Sequence, residues 1–286
     1  LAAQFETEFP FSVIVVDDGS LPPVSLSTVD FPYDLRLIRL DQNSGRAAAR
    51  NAGLRAVKGG LVIFLDDDIR AQAGFVRAYC ESLEPDSAVV GLGAVQFHPD
   101  VPRDALTRYL ESRGIAKLAP HAPIPFKYFL TYNSAAPARM LMDAGAFDER
   151  LQAWGGEDIE LAWRLQKRGA TFVRVPGARA LHAHRRTIRE VCRVSEIFGR
   201  ESMPILFEMH PEMISHLKAD VLGPREFSAE ASMRRLVVRV LTNAAFARPL
   251  RTLVGALPRV PWHASVFDYL IASAWRAGLD DAVRLR

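Results

Sequence analysis

The sequence predicts an α/β fold, a mostly parallel sheet flanked by helices, followed by a helical C-terminal extension. Three observations carry this expectation. Short β-branched apolar runs alternate with helical patterns through the first two-thirds of the chain. Two of those runs end in acids, "VVDDGS" and "FLDDDI". After about residue 187 the texture is helical throughout.

Taken in order, "FSVIVV" (11–16), "DLRLIRL" (34–40), "LVIFL" (61–65) and "AVVGLGAVQF" (88–97) read as strands. "GRAAARNAGLRAV" (45–57) and "GFVRAYCESL" (74–83) read as the helices between the later ones. In open α/β sheets the ligand crevice lies outside the carboxyl ends of the strands. Both acidic strand ends therefore point toward the same place. Residues 98–137 carry Pro99, Pro102, Pro120, Pro123, Pro125 and Pro137 and read as a long irregular segment, which in a compact domain usually serves function. "ARMLMDAGAFDE" (138–149) reads as a helix closed by Gly145. "GEDIELAWRLQKRG" (156–169) reads as another, stopped by Gly169 after Lys167 and Arg168. These patterns divide the chain into an α/β domain over 1–186 and a helical region over 187–286.

Bulk properties narrow the function classes. A chain of 286 residues, 49% apolar and 24% charged, has ordinary globular composition. A net charge of +3 and the absence of any recognition motif argue against a nucleic-acid partner. Cys80 and Cys192 cannot form a disulfide framework, so a reducing cytoplasm is expected. No apolar run reaches the roughly 20 residues that span a bilayer, and "LAAQFETEFP" lacks the pattern of a signal peptide. From 228 to 286, nine arginines stand against four acids. Arginine-bearing amphipathic helices can lie on the inner face of a membrane as peripheral contacts. The favoured alternative is that they pack on the α/β domain with arginines outward.

Each candidate site has a bland reading beside its chemical one. "VVDDGS" is a strand ending in an Asp-Gly turn, or a place where Asp17 and Asp18 hydrogen-bond a nucleobase edge. "NSGRAAARNAG" puts Asn43 and Gly45 before a helix that carries Arg46 and Arg50 one turn apart. That arrangement suits an anion but is also a common cap. Three adjacent carboxylates at the end of "LVIFL" repel one another and either call for a cation or form a solvated, charged loop tip. Asp66 and Asp68 flank one residue, a spacing at which two carboxylates can approach one Mg2+ or Mn2+ whose shell substrate phosphates complete. In "WGGEDIELAWRL" the acids Glu157 and Asp158 suit a first helical turn. Gly155 and Gly156 would also let a ligand approach, and Trp154 could stack on a sugar. His182 and His184 share one face if extended, and either could complete a metal site or be structural.

Together, "VIVVDDGS", "NSGRAAARNAG", "FLDDDI", "YNSAAPARMLMDAGAFDE", "GGEDIELAWRL" and "LHAH", in this order over roughly 11 to 185, resemble the family 2 glycosyltransferases. The resemblance implies the GT-A fold, a Rossmann-like nucleotide-binding sheet, and inverting sugar transfer from a nucleotide-sugar donor, most often a UDP-sugar. It implies that Asp17 and Asp18 contact the base, with Asn43, Gly45 and Arg50 near the nucleotide. Asp66, Asp67 and Asp68 match the family's metal- and diphosphate-binding motif, and His182 a histidine near the metal. Asp158 matches the catalytic base, and Asn133, Trp154, Gly155, Gly156 and Glu157 fall where acceptor or donor sugar would sit. The expected cofactor is Mn2+ or Mg2+, and the acceptor a hydroxyl of a glycan, a lipid-linked sugar or a small molecule. Family members usually carry a strand and helix before "VIVVDDGS"; "LAAQFETEFPF" is too short for both, so an incomplete N-terminus is expected.

Two other readings compete. An inactive nucleotide-sugar-binding or scaffold protein would share the fold, although Asp158 and the aspartate triplet argue for retained catalysis. A nucleotidyltransferase would need a glycine- and lysine-rich phosphate loop near the start, and none is visible.

Overall fold

The computed structural model describes residues 9–26, 31–224 and 233–285. It divides into two compact units. The first contains the described residues through Val101, with Arg113–Gln152 and Glu157–His184; the second contains Pro102–Ser112, Ala153–Gly156 and the described residues from Arg185 onward.

In chain order the first stretch runs β1 (Ser12–Asp17), β2 (Asp34–Arg39), α1 (Arg46–Arg55), β3 (Leu61–Leu65), β4 (Ile69–Ala71), α2 (Phe75–Ser82) and β5 (Val89–Phe97). Helix α3 (Ala105–Glu111) belongs to the second unit. Back in the first unit follow β6 (Asn133–Pro137), α4 (Ala138–Asp143), α5 (Glu157–Lys167) and β7 (Thr171–His182). Strands β1 and β2 pair in parallel, and the remaining five form a sheet of order β3-β6-β5-β7-β4. The expected α/β class holds, but the five-stranded sheet is mixed. Only β5 and β7 run parallel in it; the β3–β6, β5–β6 and β4–β7 pairs are antiparallel.

The difference comes from residues 98–137, which are more ordered than their prolines suggest. They contain α3, two short 3-10 turns and β6. "NSAAP" has no β-branched residue, yet all five positions are buried between β3 and β5. Small side chains suit a central strand that backbone pairing and covering layers hold on every side.

A second irregularity explains Asn133. Between Gly93 and Ala94 the β5–β7 register jumps from Val175 to Arg179, where Pro176 cannot donate to a ladder. The Asn133 amide donates to the carbonyls of Ala94 (3.2 Å) and Ala178 (3.0 Å) and accepts from the Tyr79 hydroxyl at 2.7 Å. A Cβ on Gly93 would fall 2.4 Å from that amide. Asn133 is thus a buried staple across a β-bulge, which corrects its expected place against a sugar. Around it Ile69, Phe75, Val76, Tyr79, Leu83, Ala135, Val175, Ala178 and Ala180 form the core of this unit.

The second unit adds α6 (Ile188–Ile197), a π-helical turn over Phe198–Ser202, α7 (Met203–Met209), α8 (Met213–His216) and α9 (Ala219–Leu222). It then continues through α10 (Met233–Leu241), α11 (Ala244–Ala256) and α12 (Ala264–Arg284). Capping boxes start two of its helices: Asp104 with Thr107 at α3, and Thr187 with Glu190 at α6. Helix α12 crosses the π turn closely, because a Cβ on Gly278 would lie 2.1 Å from the Glu196 carbonyl oxygen and one on Gly199 2.3 Å from that of Trp275. The arginines of α10 are not all outward as expected. Arg235 is buried and donates to the Gly223 carbonyl, and Arg239 pairs with Asp280 at 2.9 Å. Among the described residues no helix is long and apolar enough to cross a membrane.

Candidate active site

The site is built in the first unit, where the ends of β1 and β3 meet the N-termini of α1 and α5. At the end of β1, Asp17 is buried, paired with Arg39, and accepts from the amides of Ser20 (2.8 Å) and Val24 (3.1 Å). Burial alone would raise its pKa; Ser20, Val24 and Arg39 outweigh that and hold it at about 2. Asp17 thereby orders the turn that follows β1.

Asp18 is half-buried and does something different. Its oxygens accept from the amides of Ser44 (2.7 Å) and Gly45 (2.9 Å), capping α1 from outside the helix. A carboxylate is favoured at this end of a helix. The close approach depends on glycine: Gly19 has φ 73°, and a Cβ there would lie 2.5 Å from the Gln42 backbone. Gly45, φ 89°, packs over Gln152. Asn43 is exposed beside this junction.

Helix α1 then presents Arg50. Its guanidinium lies 2.7 Å from Glu157, 3.4 Å from Asp158 and 3.6 Å from Asp66. Burial would lower the Arg50 pKa, but Asp158, Glu157 and Asp66 outweigh it and raise it. One cation therefore gathers three carboxylates from β3 and α5, answering the like-charge problem of the aspartate triplet. Burial raises the pKa of Asp66, with Asp67 and Asp68 adding to the rise and Arg50 and Arg46 opposing it. Asp67 is exposed.

Glu157 has one oxygen on Arg50, while Oε2 is buried with no hydrogen-bond partner. Asp158 accepts from the Thr131 hydroxyl at 2.9 Å and, more weakly, from the Thr131 amide at 3.4 Å. Burial pushes its carboxyl up to about 7, with Glu157 adding to the rise and Arg50 and Thr131 opposing it. Asp158 is therefore only partly ionised at neutral pH. Thr131, fully buried, escaped sequence reading because it sits in the stretch that looked irregular. Tyr132 follows it, its phenol pushed up to about 12 by burial and by the charges of Asp158 and Asp66. Its carbonyl accepts the Asp66 amide at 3.4 Å.

The other end of the triplet faces β7. His182 Nε2 lies 3.1 Å from Asp68 Oδ2, and the His184 ring centre is 6.4 Å from that of His182. Among the described residues no group of three or more His, Cys, Asp or Glu side chains is arranged to hold a metal ion. Asp68 and His182 fit a divalent cation as a partial set, a carboxylate and an imidazole, both part-exposed, that substrate oxygens could complete.

Trp154, Gly155 and Gly156 group with the second unit. There the Arg186 guanidinium covers the Trp154 ring at 5.3 Å, and the Phe198 ring lies 3.4 Å from where a Gly155 Cβ would be. Gly155 and Gly156 have φ of 80° and 104°. Backbone conformation thus favours glycine at both positions.

Comparison with known proteins is consistent with this geometry. The sequence model described as Glycosyl transferase family 2 matches residues 1–141. The pre-mycofactocin glycosyltransferase of Mycobacterium tuberculosis is 30% identical over 255 residues, covering 84% of this chain and 53% of the relative. The chain belongs to glycosyltransferase family 2. A further relative is the chondroitin synthase of Pasteurella multocida, 32% identical over 213 residues, covering 62% of this chain and 22% of the synthase. The chain thus spans about half the length of the mycobacterial relative and less of the synthase. In structure it is similar to a mannosyltransferase from Pyrobaculum calidifontis in complex with GDP-Man and Mn2+. That match has TM-score 0.51 and 19% identity, covering 94% of this chain and 78% of that one. The likeness is one of fold, and the fold is the GT-A type of family 2.

Proposed function

We propose that this family 2 chain transfers a sugar, with inversion, from a nucleotide-sugar donor to an acceptor hydroxyl. The observation that carries the reading is the Asp158 carboxylate, held by Thr131 and Arg50 beside Asp66 at the end of β3. In the reaction an acceptor oxygen bonds to the anomeric carbon as the bond from that carbon to the diphosphate oxygen breaks. The electron pair leaves with the diphosphate, and the acceptor proton passes to Asp158. A carboxyl near pH 7 is well matched to this duty, since general-base efficiency peaks when pKa and working pH coincide. Arg50 offsets part of the charge of the carboxylate cluster, and Thr131 orients Asp158 through its hydroxyl on Oδ1 and, more weakly, its amide on Oδ2.

Asp68 and His182 would hold Mn2+ or Mg2+, with Asp66 beside them. When bound, the ion supplies positive charge against the leaving diphosphate. The Pyrobaculum mannosyltransferase was captured with GDP-Man and Mn2+, which supports a nucleotide sugar and a divalent ion here. Asp18, Asn43 and Gly45, at the junction of β1 and α1, are the candidates to meet the nucleotide, UDP being the first choice. The acceptor is a glycan, a lipid-linked sugar or a small molecule.

Calorimetric titration of UDP, GDP and dTDP, each with Mn2+ and with chelator, tests the donor site. Asp158→Asn should abolish transfer and keep metal-dependent nucleotide binding. Wild-type protein that is folded and binds none of the three would leave an inactive scaffold of the same fold. Equal loss of binding and transfer in the variant would remove Asp158 as the base.

A further inference from the structure

Helix α10 is amphipathic, but it is turned the opposite way from a helix covering a core. Met233, Leu236, Val237, Val240 and Leu241 recur at the spacing that lines one helix face. That face is normally buried, yet here these residues are 74, 59, 47, 53 and 57% exposed. The opposite face is anchored inward by charge. Arg235 donates to the Gly223 carbonyl, and Arg239 reaches the Leu222 carbonyl and Asp280. Arg276, also paired with Asp280, donates to the Arg239 carbonyl. Rotating α10 to bury its apolar stripe would break this set and leave Asp280 with one partner fewer.

Helix α11 packs inward through an apolar residue, yet it too leaves large apolar side chains outward. Val254 faces the core with Phe267 and Leu270, while Phe246, Leu253 and Leu257 lie 60, 47 and 44% exposed, seven and four residues apart along one face. Apolar surface of this extent on a folded unit marks a place where something docks.

The charge around these faces selects the partner. Between residues 231 and 267 there are six arginines and no acid. Arg234, Arg248 and Arg259 are exposed among the apolar residues. We propose that the outward faces of α10 and α11 dock on an anionic lipid bilayer. At nine and thirteen residues the helices are too short to span it. They lie along the interface, with Leu236, Val240 and Phe246 entering the acyl boundary and the arginines reaching the headgroup phosphates. A second copy meeting this same surface would set arginine against arginine with no acid to answer it. The inference is independent of the transfer reaction, since none of these residues belongs to the proposed active site.

The test is co-sedimentation of the full chain with vesicles of phosphatidylcholine mixed with phosphatidylglycerol, against phosphatidylcholine alone. Binding is expected to the mixed vesicles and to weaken as salt is raised. Leu236→Asp and, on the other helix, Phe246→Asp should each remove most of it while leaving the thermal midpoint and nucleotide binding unchanged. Arg248→Ala should weaken partitioning about fivefold. No binding to mixed vesicles overturns the proposal. So does equal binding to both vesicle types. A dimer in sedimentation velocity that Leu236→Asp dissolves, without vesicle binding, would make a second copy the occupant instead.

Discussion

Asp158→Asn should cost the protein its activity and make it more stable, but only above a definite pH. The carboxyl sits at about 7 in the folded chain against an ordinary 3.8, because it is buried beside Glu157. The folded state therefore binds this proton more tightly than the unfolded state does, and between these two values stability falls as pH rises. Above pH 7 the ionised side chain carries the full penalty. A gap of that size has a ceiling of about 4 kcal/mol. Arg50 is shared among the three acids and will readjust to Glu157 and Asp66 when Asp158 loses its charge, so the realised gain is about 1–2 kcal/mol. In a domain of this size that raises the thermal midpoint by roughly 3–6 °C. The assay is thermal unfolding by circular dichroism, wild type against variant, from pH 4 to pH 8.5. The two should coincide near pH 4, separate through pH 7 and run parallel above it. A gain that is independent of pH, or a loss at pH 8.5, would refute the claim that Asp158 carries the proton.

Thr131→Val removes a donor to Asp158, so the acidic limb of the activity–pH profile should move to higher pH. Thr131→Ser, which keeps the hydroxyl, should restore it, and an unshifted limb would make Thr131 merely structural. His182→Ala should weaken nucleotide binding in Mn2+ and leave binding in chelator unchanged by calorimetry; equal weakening in both would take His182 out of the metal set. Gly278→Ala forces a methyl group against the Glu196 carbonyl and should destabilise the second unit by about 1–3 kcal/mol in denaturant unfolding. An unchanged midpoint there would mean that α12 moves away without cost.

What the sequence determined by itself was local. The strands around "VIVV", "LIR", "VIFL" and "VVGLGAVQF" and the helices at 46–55, 75–82 and 157–167 follow from β-branched runs, amphipathic spacing and glycine stops, and they lie where the pattern put them. The acidic strand ends and Asp158 were visible as residues that a fold would not leave there without cause. Tertiary structure decided which of them share a partner. Asp17 and Asp18 look alike in sequence, yet one is occupied by Arg39, Ser20 and Val24 and the other caps α1. Nothing local marks Asn133 as the staple of a bulge between β5 and β7, because its partners lie 39 to 54 residues away. Thr131 meets Asp158 from 27 residues away, and Arg50 meets it from 108. The inverted face of α10 is the same kind of case. Its spacing announces an apolar stripe, but which way the stripe points depends on Asp280 and the carbonyls of Leu222 and Gly223. Periodicity along a chain reports the faces an element has; long-range charge and hydrogen-bond partners decide where each face is turned.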